Sequence, residues 1–257
     1  MATALVTGGT SGIGAAFARA LAARGDDLVL VGRNRQRLEE TAAELAGRHG
    51  VVVEVLTADL GRREDAVRVA ERVSSADRPV DLLVNNAGFG VHHAITSPDT
   101  TPHEYAFDVM CRAVLILSAA AGRAMRERGR GAIVNVSSTA GFVSMGSYSA
   151  IKAWTTTYTE ALAVELAGTG VTVTALCPGW VRTEFHQRAE ISVSSIPAPL
   201  WLDADRLVAD CLADVRKGAV ISIPSKRYQV LIFAARHAPR RVIRSVSARL
   251  SSSRRSH

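Results

Sequence analysis

Short aliphatic runs alternate with amphipathic stretches along almost the whole chain, and few folds accept that pattern. Ala4-Leu5-Val6, Leu28 to Val31, Val51 to Leu56, Val80 to Val84, Ala132 to Val136, Val171 to Leu176 and Ala219 to Ile223 read as strands without a polar face. Between them, helical patterns run from the first glycine-rich turn to about Arg24, and over Arg35 to His49 and Ala66 to Val73. They continue over about Glu104 to Arg128, Ser147 to Ala167 and Asp203 to Arg216. Strands that are apolar on both faces must be covered on both faces, which is the condition of a parallel sheet between helix layers. Right-handed crossovers then wind the chain into a single α/β doubly wound, Rossmann-type parallel sheet of about seven strands.

Ligands of such sheets bind beyond the carboxyl ends of the strands. The first strand leads into Thr7-Gly8-Gly9-Thr10-Ser11-Gly12-Ile13-Gly14, then a helix. Gly8, Gly12 and Gly14 allow a tight turn and let a pyrophosphate approach the backbone. The helix start offers unpaired N–H groups and partial positive charge to that anion. An ordinary glycine loop is the alternative, but a strand-to-helix position at the start of an α/β chain favours dinucleotide binding. The second strand ends Val31-Gly32-Arg33-Asn34-Arg35. A carboxylate there would accept from a ribose 2′-OH, whereas Arg33 can pair bidentately with a 2′-phosphate. The expected cofactor is therefore NADP(H), and Arg35 reads as a solvated loop residue.

Tyr148 and Lys152 stand four apart near the start of a predicted helix and share one face. An ammonium beside a phenol is expected to lower the phenol pKa, and such a Tyr can give a proton to a carbonyl oxygen as hydride arrives. Taken alone, the pair also fits a solvated surface.

Several segments, in this order, resemble the short-chain dehydrogenase/reductase family: Thr7 to Gly14, Asp59-Leu60, Asn85-Asn86-Ala87-Gly88, Asn135-Val136-Ser137-Ser138, Tyr148 to Lys152, and Pro178-Gly179-Trp180-Val181-Arg182-Thr183. The resemblance runs from about Thr3 to Pro224. It implies an enzyme interconverting CH–OH and C=O groups, with Ser138 holding the substrate carbonyl. Tyr148 would be the acid in reduction and the base in oxidation, and Lys152 would hold the nicotinamide ribose and tune Tyr148. It further implies cofactor contacts at Gly8, Thr10, Ser11, Gly12, Ile13 and Gly14, at Arg33, and at Asp59 (adenine edge) with Leu60. Asn86 (ribose region), Ala87 and Gly88 would follow, then Pro178, Gly179, Val181 and Thr183 around the nicotinamide amide and nearby phosphate. Gly32 falls where NAD-dependent members carry an acid. Two features depart from the family pattern. Met110 stands where many members have an Asn, and a thioether cannot anchor the water of a proton relay. The stretch from Ser138 to Tyr148 is about three residues shorter, which trims one wall of the substrate mouth.

The family's lid segment would be Glu184 to Leu202. Ile191, Val193, Ile196, Leu200 and Trp201 there point either to an apolar pocket for an acyl, steroid or other lipid-like ketone, or to packing on the body. The expected catalytic domain is 1–225, followed by a basic extension, 226–257. The whole chain carries +7, yet eleven Lys and Arg and no acid follow Asp214, leaving 20 basic and 24 acidic residues up to and including it. Helical apolar spacing at Tyr228, Leu231, Ile232 and Ala235, and at Val242, Val246 and Leu250, lets the extension cover the subunit or lie peripherally on an anionic membrane. No aromatic platform accompanies the charge, which argues against nucleic acid. Ser251 to Arg255 reads as disordered. Cys111, Cys177 and Cys211 form no disulfide framework, and Met1-Ala2-Thr3 starts no signal peptide, so a cytoplasmic location is expected. No apolar stretch approaches the roughly 20 residues that span a bilayer. The histidines show no metal-binding spacing, and no metal is expected. The expected partners are a small carbonyl or alcohol substrate and further copies of the chain, as a homodimer or homotetramer through the two long helices. Two rival functions remain open: an NADPH-binding protein with weak or no catalysis, suggested by Met110, and a membrane-surface scaffold using the tail.

Overall fold

The computed structural model describes residues 2–91, 93–182 and 197–252. Thr183, most of the expected lid (including Ile191, Val193 and Ile196) and the final Ser253 to Arg255 lie outside the described residues.

The first half of the chain is a run of strand–helix units: β1 (Thr3–Thr7), α1 (Gly12–Ala23), β2 (Asp27–Gly32), α2 (Arg35–His49), β3 (Val53–Thr57), α3 (Arg63–Val73) and β4 (Leu82–Asn85). Next come α4 (Thr101–Phe107), a π-helical turn (Asp108–Arg112), α5 (Ala113–Arg128), β5 (Gly131–Val136), a 3-10 turn (Thr139–Phe142) and α6 (Gly146–Glu165). The remainder is β6 (Val171–Leu176), β7 (Trp180–Val181), β8 (Trp201–Leu202), α7 (Ala204–Arg216), β9 (Ile221–Ser222), α8 (Lys226–His237) and α9 (Arg240–Ser252). Seven strands form one parallel sheet in the order β3-β2-β1-β4-β5-β6-β9. The order reverses between β1 and β4, and such a switch point opens a crevice at the strand ends.

Alternate residues of each strand feed two separate cores. Leu5, Val29, Leu83 and Ile133 pack under α3, α5 and α6, while Ala4, Val6, Leu28, Leu30 and Val134 pack under α1, α2 and α7. The expected doubly wound sheet and its strand number are those observed. Helix starts are fixed by side chains: α2 begins where the sequence placed it, and α7 one residue later. Asn34 accepts from the Arg37 amide at 3.0 Å and starts α2, and Asp203 does the same for α7 through the Arg206 amide at 2.9 Å. Such side-chain caps satisfy a backbone donor that the helix itself cannot.

The long helix expected over Glu104 to Arg128 starts earlier and is interrupted by the π turn. That turn inserts one extra residue, which re-aims Met110 and Cys111 inward, where each is 1% exposed. Read as one stretch, Thr101–Arg128 is long and apolar enough to cross a bilayer, with a mean hydropathy of 1.5, contrary to the sequence expectation. Only Asp108 and Arg112, paired at 2.7 Å, interrupt its central run. Most of that stretch, 61%, is buried inside the protein, as a core helix requires.

The extension is folded onto the body. Tyr228, Ile232 and Ile243 are buried, Arg236 lies over the Phe142 ring at 5.4 Å, and Ser247 accepts from the Ser144 amide at 3.0 Å. Of the two readings of the tail, these contacts realise the covering one.

Candidate active site

Ser138, Tyr148 and Lys152 come together at the end of β5. Ser138 starts the 3-10 turn, its hydroxyl accepting from the Ala140 amide at 3.1 Å and bonding to Tyr148. Tyr148 lies in the first turn of α6 and Lys152 one turn on, with its Nζ 5.6 Å from the Tyr148 ring centre. Two carbonyls fix the lysine. Its Nζ donates to the Val136 carbonyl at 2.8 Å, and its own carbonyl accepts from the Ser137 hydroxyl at 2.7 Å. Of the two adjacent serines, Ser137 therefore anchors the helix and Ser138 faces the site.

The charges behave differently from the sequence expectation. Burial pushes Tyr148 up to about 12, with the Ser138 bond acting in the opposite direction. Burial also pulls Lys152 down to about 8. Burial thus shifts each group toward its neutral form and outweighs the expected pull of lysine on tyrosine, yet at about 8 Lys152 still carries its proton at neutral pH. A phenol protonated across the neutral range is poised as a proton donor.

The glycine-rich turn is tied to the end of β4. Thr7, which the motif contains but sequence reasoning gave no role, is the hub: its hydroxyl accepts from the Asn86 amide at 2.9 Å and the Ala87 amide at 3.0 Å. Asn86 Nδ2 donates to the Thr7 carbonyl at 2.9 Å and the Gly8 carbonyl at 3.3 Å. Gly8 has φ +66°, a conformation most side chains avoid. The first turn of α1 carries no acidic residue, so its N–H groups and dipole are available to an anion. These residues fit the pyrophosphate of a dinucleotide.

Arg33 follows β2 and Asp59 follows β3, side by side at one end of the groove. Thr10, Ser11 and Gly12 sit at the α1 start, and Gly88 is exposed beside Met110 and Lys152. Ile13, Leu60 and Val181 differ in kind: Leu60 and Val181 are buried in the cores, and Ile13 is partly buried against one of them. Pro178 is buried, and Gly179 is covered by Tyr228, whose hydroxyl accepts from the Trp180 amide at 3.0 Å and donates to the Leu200 carbonyl at 2.9 Å. Tyr228 was read from the sequence only as part of an amphipathic stripe.

An α/β nucleotide-binding oxidoreductase is the class that this sheet, cradle and Ser-Tyr-Lys cluster define. The family model for short chain dehydrogenases matches residues 2–192. Galactitol 2-dehydrogenase (L-tagatose-forming) of Cereibacter sphaeroides is 40% identical over 212 residues, covering 79% of each chain. Among solved structures, a short-chain dehydrogenase from Sphingobium yanoikuyae in complex with NADPH is 35% identical, with a TM-score of 0.83 over 92% of this chain and 94% of that one. The bulky-bulky ketone specific alcohol dehydrogenase from Comamonas testosteroni is 29% identical, with a TM-score of 0.79 over 94% of this chain and 98% of that one. The chain belongs to the short-chain dehydrogenase/reductase family, as an oxidoreductase acting on CH–OH or C=O groups with a nicotinamide cofactor.

Proposed function

We propose that this protein is an NADPH-dependent reductase of apolar ketones, with Ser138, Tyr148 and Lys152 as its catalytic residues. The observation that carries this reading is their meeting at the same sheet edge as the glycine cradle. When bound, the nicotinamide supplies the hydride. Ser138 holds the carbonyl oxygen by a hydrogen bond, and Tyr148 gives it a proton as negative charge develops there. Lys152 keeps positive charge next to the Tyr148 ring. With its pKa held up by burial, Tyr148 carries the proton that the acid role in reduction needs. Phe142, Val143, Met145 and Trp180, in segments next to Ser138, Tyr148 and Gly179, supply apolar surface for the substrate.

The choice of NADPH rests on Arg33. Arg33→Asp removes a cation and adds repulsion toward a 2′-phosphate, so preference should move from NADPH toward NADH by roughly tenfold or more. Steady-state kinetics with both cofactors on ketones of graded chain length read this directly. An unchanged NADPH/NADH ratio in the variant contradicts the assignment. Met110 supports a second reading, a cofactor-binding protein with little catalysis. Its thioether lies against Gly88 beside Lys152, and sulfur there offers no relay to solvent. NADPH binding without turnover on any ketone of that series would favour this second reading.

Family habit pairs the α4–α5 and α6 helices between subunits, and Leu115 and Val164 on these helices are exposed at 46% and 78%. A homo-oligomer is therefore expected in sedimentation at micromolar concentration, and a monomer alone would contradict it.

A further inference from the structure

The adenosine end of the groove holds a side chain that neither the motifs nor the catalytic cluster use. Tyr105, on α4, reaches across to the ends of β2 and β3. Its hydroxyl accepts from Arg33 Nη1 at 3.0 Å and donates to Asp59 Oδ1 at 2.7 Å. The three groups form one directional chain from cation to carboxylate.

The ring is seated, not merely touching. It packs against Gly61, where an added Cβ would come within 2.0 Å of Tyr105 Cε2. On another side it stacks with Phe89, ring centres 5.6 Å apart at 29°. Gly61 is itself fixed: its amide donates to Asp59 Oδ1 at 3.0 Å, and its carbonyl accepts from Arg112 Nη2 at 2.6 Å. The Asp59 amide donates to Asp65 Oδ2 at 2.7 Å. Burial and the Asp59 carboxylate both hold the Tyr105 phenol above its ordinary pKa, keeping the proton that the Asp59 bond needs, while Arg33 pulls the other way. Arg33, by contrast, is exposed and has a long, flexible stem. An exposed guanidinium loses rotamer freedom when it grips a phosphate, and a fixed hydroxyl that holds it beforehand removes part of that cost.

We propose that Tyr105 is a positioning residue for cofactor selection, holding the Arg33 guanidinium beside Asp59 so that the pair meets a 2′-phosphorylated adenosine ready-formed. This rests on the reading of Arg33 as the 2′-phosphate contact. Tyr105→Phe keeps the ring on Gly61 and Phe89 and removes only the oxygen, so the thermal midpoint of the protein should hardly change.

Two probes isolate the adenosine end without any turnover: adenosine 2′,5′-bisphosphate, and adenosine 5′-monophosphate, which lacks only the 2′-phosphate. Calorimetric titration of the full chain with each probe should show the bisphosphate weakened roughly three- to tenfold by Tyr105→Phe, and the monophosphate changed by less than about twofold. In an Arg33→Ala background the same Tyr105→Phe change should have no further effect on the bisphosphate, because the hydroxyl acts through the guanidinium. Bisphosphate affinity that is unchanged or tighter in Tyr105→Phe, an equal loss for both probes, or a full loss persisting without Arg33 would each overturn the proposal. Arg33→Ala alone separates the two readings. If it erases the preference for the bisphosphate while Tyr105→Phe does not alter it, only the role of Tyr105 fails. If it leaves the preference intact, the 2′-phosphate reading fails and takes this proposal with it.

Discussion

Replacing Tyr148 by Phe should lower turnover by roughly 10²–10⁴-fold while leaving cofactor affinity near that of the unaltered protein. The change deletes one oxygen and keeps the ring. Among the described residues around Ser138, the Tyr148 hydroxyl is the acidic group bonded to that serine and faced by a lysine. Reduction leaves negative charge on the former carbonyl oxygen, and without a positioned acid the proton must come from water. Burial favours the protonated phenol up to about 12, so the donor form persists throughout the neutral range. Lys152 is expected to be indispensable in a different way: its Nζ is fixed by the Val136 carbonyl, and its backbone is fixed by Ser137. Single-turnover rates with saturating NADPH, beside a cofactor titration, separate loss of chemistry from loss of binding. Near-normal turnover in Tyr148→Phe would overturn the mechanism.

Gly14→Ala should damage both the fold and the cradle. A Cβ there would sit 2.1 Å from the Gly8 carbonyl oxygen and 2.4 Å from Asn86 Nδ2. The first obstacle is backbone and cannot rotate away, so the α1 start and the β1 turn must separate. Forcing a methyl into a packed site of this kind costs about 1–3 kcal/mol, and the shift would also move the N–H groups that face the anion. The thermal midpoint should fall by several degrees, and cofactor affinity should fall by about tenfold or more. Gly47→Ala is the matched control, since a Cβ on that α2 residue meets nothing within 4 Å. It should be neutral or stabilising by up to about 1 kcal/mol, as expected for an exposed helix glycine. Calorimetric scans with and without NADPH read both changes, and a Gly14→Ala protein as stable and as tightly bound as its parent would refute the packing argument.

Most of the architecture was legible in the sequence because its signals are local. Aliphatic runs of strand length, helical periodicity and glycines at strand ends each act within a few residues, and together they call for a parallel sheet covered on both faces. The order of motifs along the chain pointed to Ser138, Tyr148 and Lys152 for the same reason: β5 and the first two turns of α6 are close in sequence. What remained hidden depends on residues far apart in the chain. The π turn at Asp108–Arg112, which includes the buried Met110 lying against Gly88, has no local breaker to announce it. The direction of the Tyr148 shift was misjudged from spacing, because spacing does not reveal how deeply a pair is buried. Tyr105 has no motif around it and gains its meaning only where β2, β3 and α4 converge on Arg33 and Asp59. The extension could lie on a membrane or on its own subunit by amphipathic pattern alone. Its position was decided by Tyr228 over Gly179 and by Ser247 on the Ser144 amide, contacts that span from 49 to 103 residues of chain.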